Sequence, residues 1–232
     1  MTYPGYQIQE TIYEGRATRV LRARRLQDGQ PVILKTLKSD YPAAEDRARL
    51  RLEHDILRGL DDPGVVRALD LLSVGHNLVL VLEDIGASSL EARADYGHLD
   101  PSAFLDLAIQ MAGILGRIHR QGLIHKDVNP ANFVYNPETG RLQIIDFDLA
   151  SRLDEERVRP GALGALEGTL PYIAPEQTGR MNRNLDWRAD FYSLGATFHE
   201  LLTGRPPFVA ADALELIHQH LAVPPPSVRS LR

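Results

Sequence analysis

The sequence predicts an α+β fold in two lobes. Residues 1–83 read as mostly strand, 84–87 as a linking hinge, and 88–232 as mostly helix. Two observations predict it. The first third carries short runs rich in β-branched residues that partly alternate, the period of a strand. The rest carries longer apolar runs at helical spacing, bounded by Asp, Pro and Gly.

The elements follow in order. Tyr6 to Tyr13, Thr18 to Leu26 and Pro31 to Lys38 read as strands, with Asp28-Gly29 as the hairpin signal between the second and third. Ala43 to Leu60 turns helical, with Ala48, Leu52, Ile56 and Leu60 as its apolar row, and Asp61-Asp62-Pro63-Gly64 ends it. Val65 to Val74 and Asn77 to Leu82 are two further strands. Asp100-Pro101 opens a helix, with Pro at its first position, that Gly122 stops. Short strands are expected at Phe133 to Tyr135 and Leu142 to Ile145, then an irregular stretch from Leu149 to Ile173. Trp187 to Leu202 is a strong apolar helix closed by Gly204, and Ala211 to Leu221 is a last short one.

Composition narrows the class. The 232 residues carry 26 Lys and Arg against 31 Asp and Glu, a net charge of -5, which argues against a nucleic-acid partner. The chain has no cysteine, so a disulfide framework, Cys-ligated zinc and an Fe–S cluster are excluded. No apolar run reaches the roughly 18 residues of a membrane span. The start, MTYPGYQIQE, lacks the basic head and apolar stretch of a signal peptide. A cytoplasmic location is the expectation.

The chemistry concentrates in His125-Lys126-Asp127-Val128-Asn129-Pro130-Ala131-Asn132 and, past an apolar strand, Asp146-Phe147-Asp148. One carboxylate can accept a hydroxyl proton. A second, with the amide of Asn132, can hold Mg²⁺, a hard cation that takes oxygen ligands. Positioning and charge neutralisation are what phosphoryl transfer needs.

These residues resemble the catalytic loop and metal-binding motif of protein kinases. The resemblance extends almost end to end. Lys35 in Val32-Ile33-Leu34-Lys35 matches the lysine that contacts the nucleotide phosphates, and Glu53 its helix partner. Gly168 to Glu176 matches the end of the activation segment, and Asp190 the buried aspartate that anchors the catalytic loop. The stretches HKDVNPANFVYN and PEQTGRMNRNLDWRADFYSLGATFHELLTG look like one subgroup: the kinase-like module at the N-terminus of very large bacterial signalling proteins, ahead of AAA-type ATPase, GAF and histidine kinase regions. Thr169 is typical of Ser/Thr rather than Tyr kinases.

The resemblance implies a bilobal kinase fold, ATP and Mg²⁺ as cofactors, and a Ser- or Thr-bearing protein substrate. It implies Asp127, Lys35, Glu53 and Asn129 as catalytic residues. Asn132 and Asp146 would hold the metal. Gly15, Val20, Ile33, Lys35, Leu82, Glu83, Ile85 and Val134 would line the nucleotide site, with Leu82 as gatekeeper and adenine near the hinge Glu83 to Gly86.

The sequence also departs from the pattern. Aligned on Val20, the three glycines of the nucleotide loop fall at Tyr13, Gly15 and Thr18, so one survives. Ile33 replaces a small residue over adenine. Asn129 replaces a lysine that neutralises the transferred phosphate. Asp148 replaces glycine, and a solvent-facing Asp148 is favoured over one that helps to bind metal. After Leu221 only Arg229 and Arg232 remain to pair with Glu176, so a truncated helical lobe is expected. From Leu153 to Glu167 there is no Ser, Thr or Tyr, and Lys126 replaces the arginine that grips a loop phosphate, so loop phosphorylation should not act as a switch. Two other readings stay open: a pseudokinase that binds and regulates, and a small-molecule phosphotransferase, whose Asp-Phe-Asp motif is similar. His218 and His220 read as solvated helix residues.

Overall fold

The computed structural model describes residues 3–93, 95–158, 168–180 and 184–231. The chain forms two compact units. One runs to Ala87 and includes Asn136–Arg141; the other takes Ser88–Tyr135 and the chain from Leu142 onward.

The first unit is an antiparallel sheet of β1 (Tyr6–Glu14), β2 (Thr18–Arg25), β3 (Pro31–Leu37), β4 (Ala68–Val74) and β5 (Asn77–Glu83), with helix α1 (Ala44–Arg58). The strand order is β1-β2-β3-β5-β4. The β2–β3 turn closes at Gly29, whose φ of 72° is the left-handed backbone that the Asp-Gly signal requires. Alternation then sorts the sheet's two faces. Leu21, Ala23, Val32, Leu34, Val79 and Val81 pack with Tyr3 as a core on one face. The register, Val20 opposite Lys35 and Ile33 opposite Leu82, puts Val20, Ile33, Lys35 and Leu82 on the other.

Helix α1 forms where the sequence predicts, but its buried stripe differs. Leu50, Glu53, Ile56 and Leu57 are buried, while Leu52 is 51% exposed. A strict four-residue row drifts around the helix, and the true stripe contains a carboxylate, which hides it from an apolar pattern.

The second unit holds β6 (Ser88–Ser89), α2 (Pro101–Arg120), β7 (Leu123–Ile124), β8 (Phe133–Asn136) and β9 (Arg141–Ile144) except their end residues Asn136 and Arg141, then β10 (Ser151–Arg152), α3 (Leu153–Val158), α4 (Arg188–Thr203) and α5 (Ala213–Ala222). Asp100 caps α2 by accepting from the N–H groups of Ser102 (2.9 Å) and Ala103 (3.2 Å). Leu107, Met111, Ile114, Leu115 and Ile118 form its buried face. Gly204 ends α4 at φ 74°, and a Cβ on Gly97 would lie 2.3 Å from the Gly204 Cα, so the two backbones touch where only glycine fits. The stretch from Leu149 to Ile173 is more regular than expected. It contains β10, α3 and a 3-10 turn at Leu170–Tyr172, while 159–167 lie outside the described residues, as do 181–183 of the subgroup stretch and Arg232.

Within α5, His218 is exposed as expected, but His220 is buried. Its Nε2 donates to the Leu170 carbonyl (2.9 Å) and its Nδ1 accepts from the Tyr192 hydroxyl (2.8 Å). The ring faces inward because the Leu170 turn presents a carbonyl there. Among the described residues, no helix is long and apolar enough to cross a membrane.

Candidate active site

In the first unit, the site starts from the Lys35 ammonium. Its Nζ donates to Glu53 Oε1 (2.9 Å) and Oε2 (2.7 Å), and both residues are buried. Burial removes the water that would otherwise screen the pair, so each charge depends on the other. Ile33 lies half-buried two residues before Lys35 on the same face, beside buried Leu82.

The turn that carries Gly15 is held by other means than glycine. Gly15 N–H donates to the Thr18 carbonyl (2.9 Å), Lys38 Nζ to the Gly15 carbonyl (3.2 Å), and Glu14 pairs with Arg19 (3.0 Å) and Lys38 (3.1 Å). These bonds lower the Glu14 carboxyl below its usual range, the Arg19 hydrogen bond most. After β5 the chain is pinned residue by residue. Glu83 N–H donates to the Arg67 carbonyl (2.9 Å), and Arg22 Nε to Asp84 Oδ2 (2.8 Å). Gly86 N–H donates to Asp84 Oδ1 (2.8 Å), and Asn136 Nδ2 to the Ile85 carbonyl (2.6 Å).

In the second unit, the site is built around Asp190, fully buried on α4. Its Oδ2 accepts from the His125 N–H (2.9 Å) and from His119 Nε2 (2.7 Å), and its Oδ1 from the Lys126 N–H (2.8 Å). Three donors, two of them backbone, fix the turn just before Asp127. Lys126 sits there at φ 67°, a left-handed conformation that a lysine adopts only when its surroundings impose it. His125 donates through Nε2 to the Ile145 carbonyl (3.1 Å) and stands edge-on to Phe147, ring centroids 4.7 Å apart.

The Asp127 carboxylate is held from two sides. Oδ1 accepts from the Thr169 N–H (2.9 Å) and Oδ2 from Asn132 Nδ2 (2.8 Å). Asn132 Nδ2 also donates to the Asp127 carbonyl (2.8 Å). Asn129 is a buried loop brace. Its Oδ1 accepts from the N–H groups of Ala131 (3.0 Å) and Asn132 (3.2 Å), and its Nδ2 donates to the Asp127 carbonyl (3.2 Å) and Thr169 Oγ1 (3.4 Å).

The donor set fits Mg²⁺. The amide hydrogens of Asn132 are directed to Asp127, which leaves its oxygen as the acceptor end. The Ile145 N–H donates to the Asn132 main-chain carbonyl (2.9 Å), tying the residue before Asp146 to Asn132. Mg²⁺ needs just one or two protein oxygens when phosphates complete its shell. Asp146 has φ 66°, and among the described residues it and Lys126 are the non-glycine residues with positive φ. The left-handed position in Asp146-Phe147-Asp148 is therefore the first residue, and Asp148, half-buried, meets no backbone penalty. Val134 is half-buried on β8, paired with Ser89 of β6.

Sequence reasoning missed several partners. His119 carries no motif, and its role follows from α2 crossing α4. Gln177 Nε2 donates to the Lys126 carbonyl (2.8 Å) and Lys126 Nζ to Glu156 Oε1 (2.8 Å). Tyr172 donates to Glu200 Oε2, and burial, then that bond, raises the Tyr172 phenol well above its usual range.

Comparison with known proteins places these features in context. A family model described as "Protein kinase domain" matches residues 6–225. The serine/threonine-protein kinase PkaA of Streptomyces coelicolor is 33% identical over 238 residues, covering 95% of this chain and 42% of PkaA. Two Mycobacterium tuberculosis proteins are similar: serine/threonine-protein kinase PknL, 32% identical over 93% of this chain and 53% of PknL, and PknF, 33% identical over 98% and 48%. The chain thus spans roughly a third to a half of the length of the curated relatives it matches.

Proposed function

The chain belongs to the protein kinase domain family, and from that premise we propose that it transfers the γ-phosphate of ATP to Ser or Thr hydroxyls of a protein substrate. The observation that carries this reading is the Asp127 carboxylate, held by Thr169 N–H and Asn132 Nδ2 on a turn anchored by Asp190. A carboxylate fixed this way can align a substrate hydroxyl and take its proton.

Lys35, oriented by Glu53, contacts the phosphates. In the first unit Val20, Ile33 and Leu82 would pack on the base and the backbone at Glu83 and Ile85 would meet its polar edge; in the second, the resemblance assigns Val134 to the base. Gly15 and its charged turn cover the phosphates. Asn132 and Asp146 would hold Mg²⁺, which when bound would neutralise phosphate charge. Asn129 acts by bracing Asp127 and Thr169. The working division is a strand-rich lobe at 1–83, a hinge at 84–87 and a helical lobe at 88–232. We place the activity in the cytoplasm, where ATP is supplied, within a larger bacterial signalling protein that carries ATPase, GAF and histidine kinase regions. The subgroup stretches support that context.

A second reading, a nucleotide-binding regulatory module, is favoured by one observation. Asn129 brings no positive charge, and its amide is taken up by the loop and by Thr169. Calorimetry with Mg²⁺-ATP and radiolabel transfer to a generic Ser/Thr substrate separate the two. Wild type and Asp127→Asn should both bind, and the variant should lose transfer by about 10²- to 10⁴-fold. Binding without transfer in wild type favours the regulatory module. Absence of binding overturns both.

A further inference from the structure

Lys126 precedes Asp127 and is tied at every polar group. Its N–H goes to Asp190 (2.8 Å), its carbonyl accepts from Gln177 (2.8 Å), and its Nζ donates to Glu156 Oε1 (2.8 Å). The first two ties hold the backbone of this left-handed residue. The third reaches α3, through a lysine side chain 8% exposed and a glutamate 13% exposed. The Ser151 hydroxyl donates to the same Oε1 (2.7 Å), fixing the carboxylate from β10. A six-residue helix is far too short to persist on its own in water, so α3 depends on such ties.

The stretch Leu153 to Glu167 contains no hydroxyl side chain, yet it places a carboxylate on the residue next to Asp127. We infer that Glu156 is a positioning residue: acting through Lys126, it sets the geometry of Asp127 by a charge the chain encodes, with no modification of the segment required. This rests on the phosphotransfer reading. A neutral group at 156 leaves the Lys126 ammonium buried beside a weaker acceptor. The left-handed turn then loses the tie that links α3 to the catalytic loop.

The test compares wild type, Glu156→Gln and Glu156→Asp. Steady-state transfer supplies kcat and KM for ATP, and hydrogen–deuterium exchange follows residues 123–129 and 153–158. Glu156→Gln should lower kcat by roughly 10- to 100-fold, the scale of a small misplacement of a catalytic group. KM for ATP should stay within about twofold, since uniform binding is untouched. Exchange should quicken in both segments. Glu156→Asp, which keeps the charge, should fall between wild type and Glu156→Gln in kcat and in exchange. Phosphatase treatment of wild type should leave kcat unchanged. A Gln variant with wild-type kcat and exchange overturns the inference. So does an Asp variant no better than Gln, or exchange that quickens in 153–158 alone. If wild type transfers no phosphate, the phosphotransfer reading fails, while the exchange data still decide whether Glu156 orders the Asp127 turn.

Discussion

Replacing Asp190 by alanine should destabilise this protein more than any single change at the catalytic loop itself. The carboxylate accepts from the His125 and Lys126 N–H groups at 2.9 and 2.8 Å, and the residue is fully buried. Alanine leaves both backbone donors buried without an acceptor, at about 1–3 kcal/mol each. The sum, about 2–6 kcal/mol, is a large part of the roughly 5–15 kcal/mol that holds a folded domain together. For a chain of this size each kcal/mol moves Tm by about 2–4 °C, so a fall of about 10 °C is expected. Asp190→Asn keeps one acceptor oxygen and should lose about half as much. Differential scanning calorimetry and urea titration of the three proteins make the measurement, with Asp127→Asn as a control that leaves these backbone donors satisfied. An alanine variant that melts within about 2 °C of wild type would refute the reasoning, because water or a rearranged loop would then be satisfying both N–H groups.

Further outcomes follow from the same geometry. Lys35→Met withdraws the cation from a buried carboxylate and should cost about 3–5 kcal/mol in urea melts, with most of it recovered in the Lys35→Met/Glu53→Leu double variant. Leu57→Ala, at 1% exposure, should cost about 2–5 kcal/mol. Leu52→Ala, at 51%, should stay within about 0.5 kcal/mol of wild type, and the reverse order would mean α1 packs on its other face. Burial pushes His220 below its usual 6.5, against an opposing pull from the Leu170 carbonyl. Between its folded value and 6.5 the unfolded chain binds more protons, so stability should fall as pH drops through that window. The groups that face the ring are Tyr192 of α4, its phenol pushed up to about 12 by burial, and Phe208. His220→Gln should flatten the change in Tm between pH 7.5 and 5.5, and an equal change in both proteins would exclude His220 as its source.

Local chemistry determined much of what the sequence showed. The Asp28-Gly29 turn, the Asp100 cap with Pro101 after it, and the Gly122 and Gly204 stops depend on neighbours within a few residues. The placement of Lys35 on a buried strand and of Asp127, Asn132 and Asp146 around an apolar strand was legible for the same reason: the motif residues follow in order along short, well-signalled elements. Their resemblance to the kinase pattern allowed the candidate residues to be named one by one from the sequence.

Tertiary structure decided what those residues touch. His119 and Asp190 stand 71 positions apart, Lys126 and Glu156 30, and His220 and Leu170 50. No periodic pattern links them, because each pair meets through the packing of separate elements. The buried stripe of α1 is hidden from an apolar pattern because Glu53 lies in it, and a carboxylate enters a core only where donors such as the Lys35 ammonium are brought to meet it. The same holds for Asn129 as a brace, for the left-handed backbone at Asp146 rather than Asp148, and for His220 as a buried link. A polar side chain's partner is fixed by the folded chain around it, since leaving water is tolerable only where that partner waits.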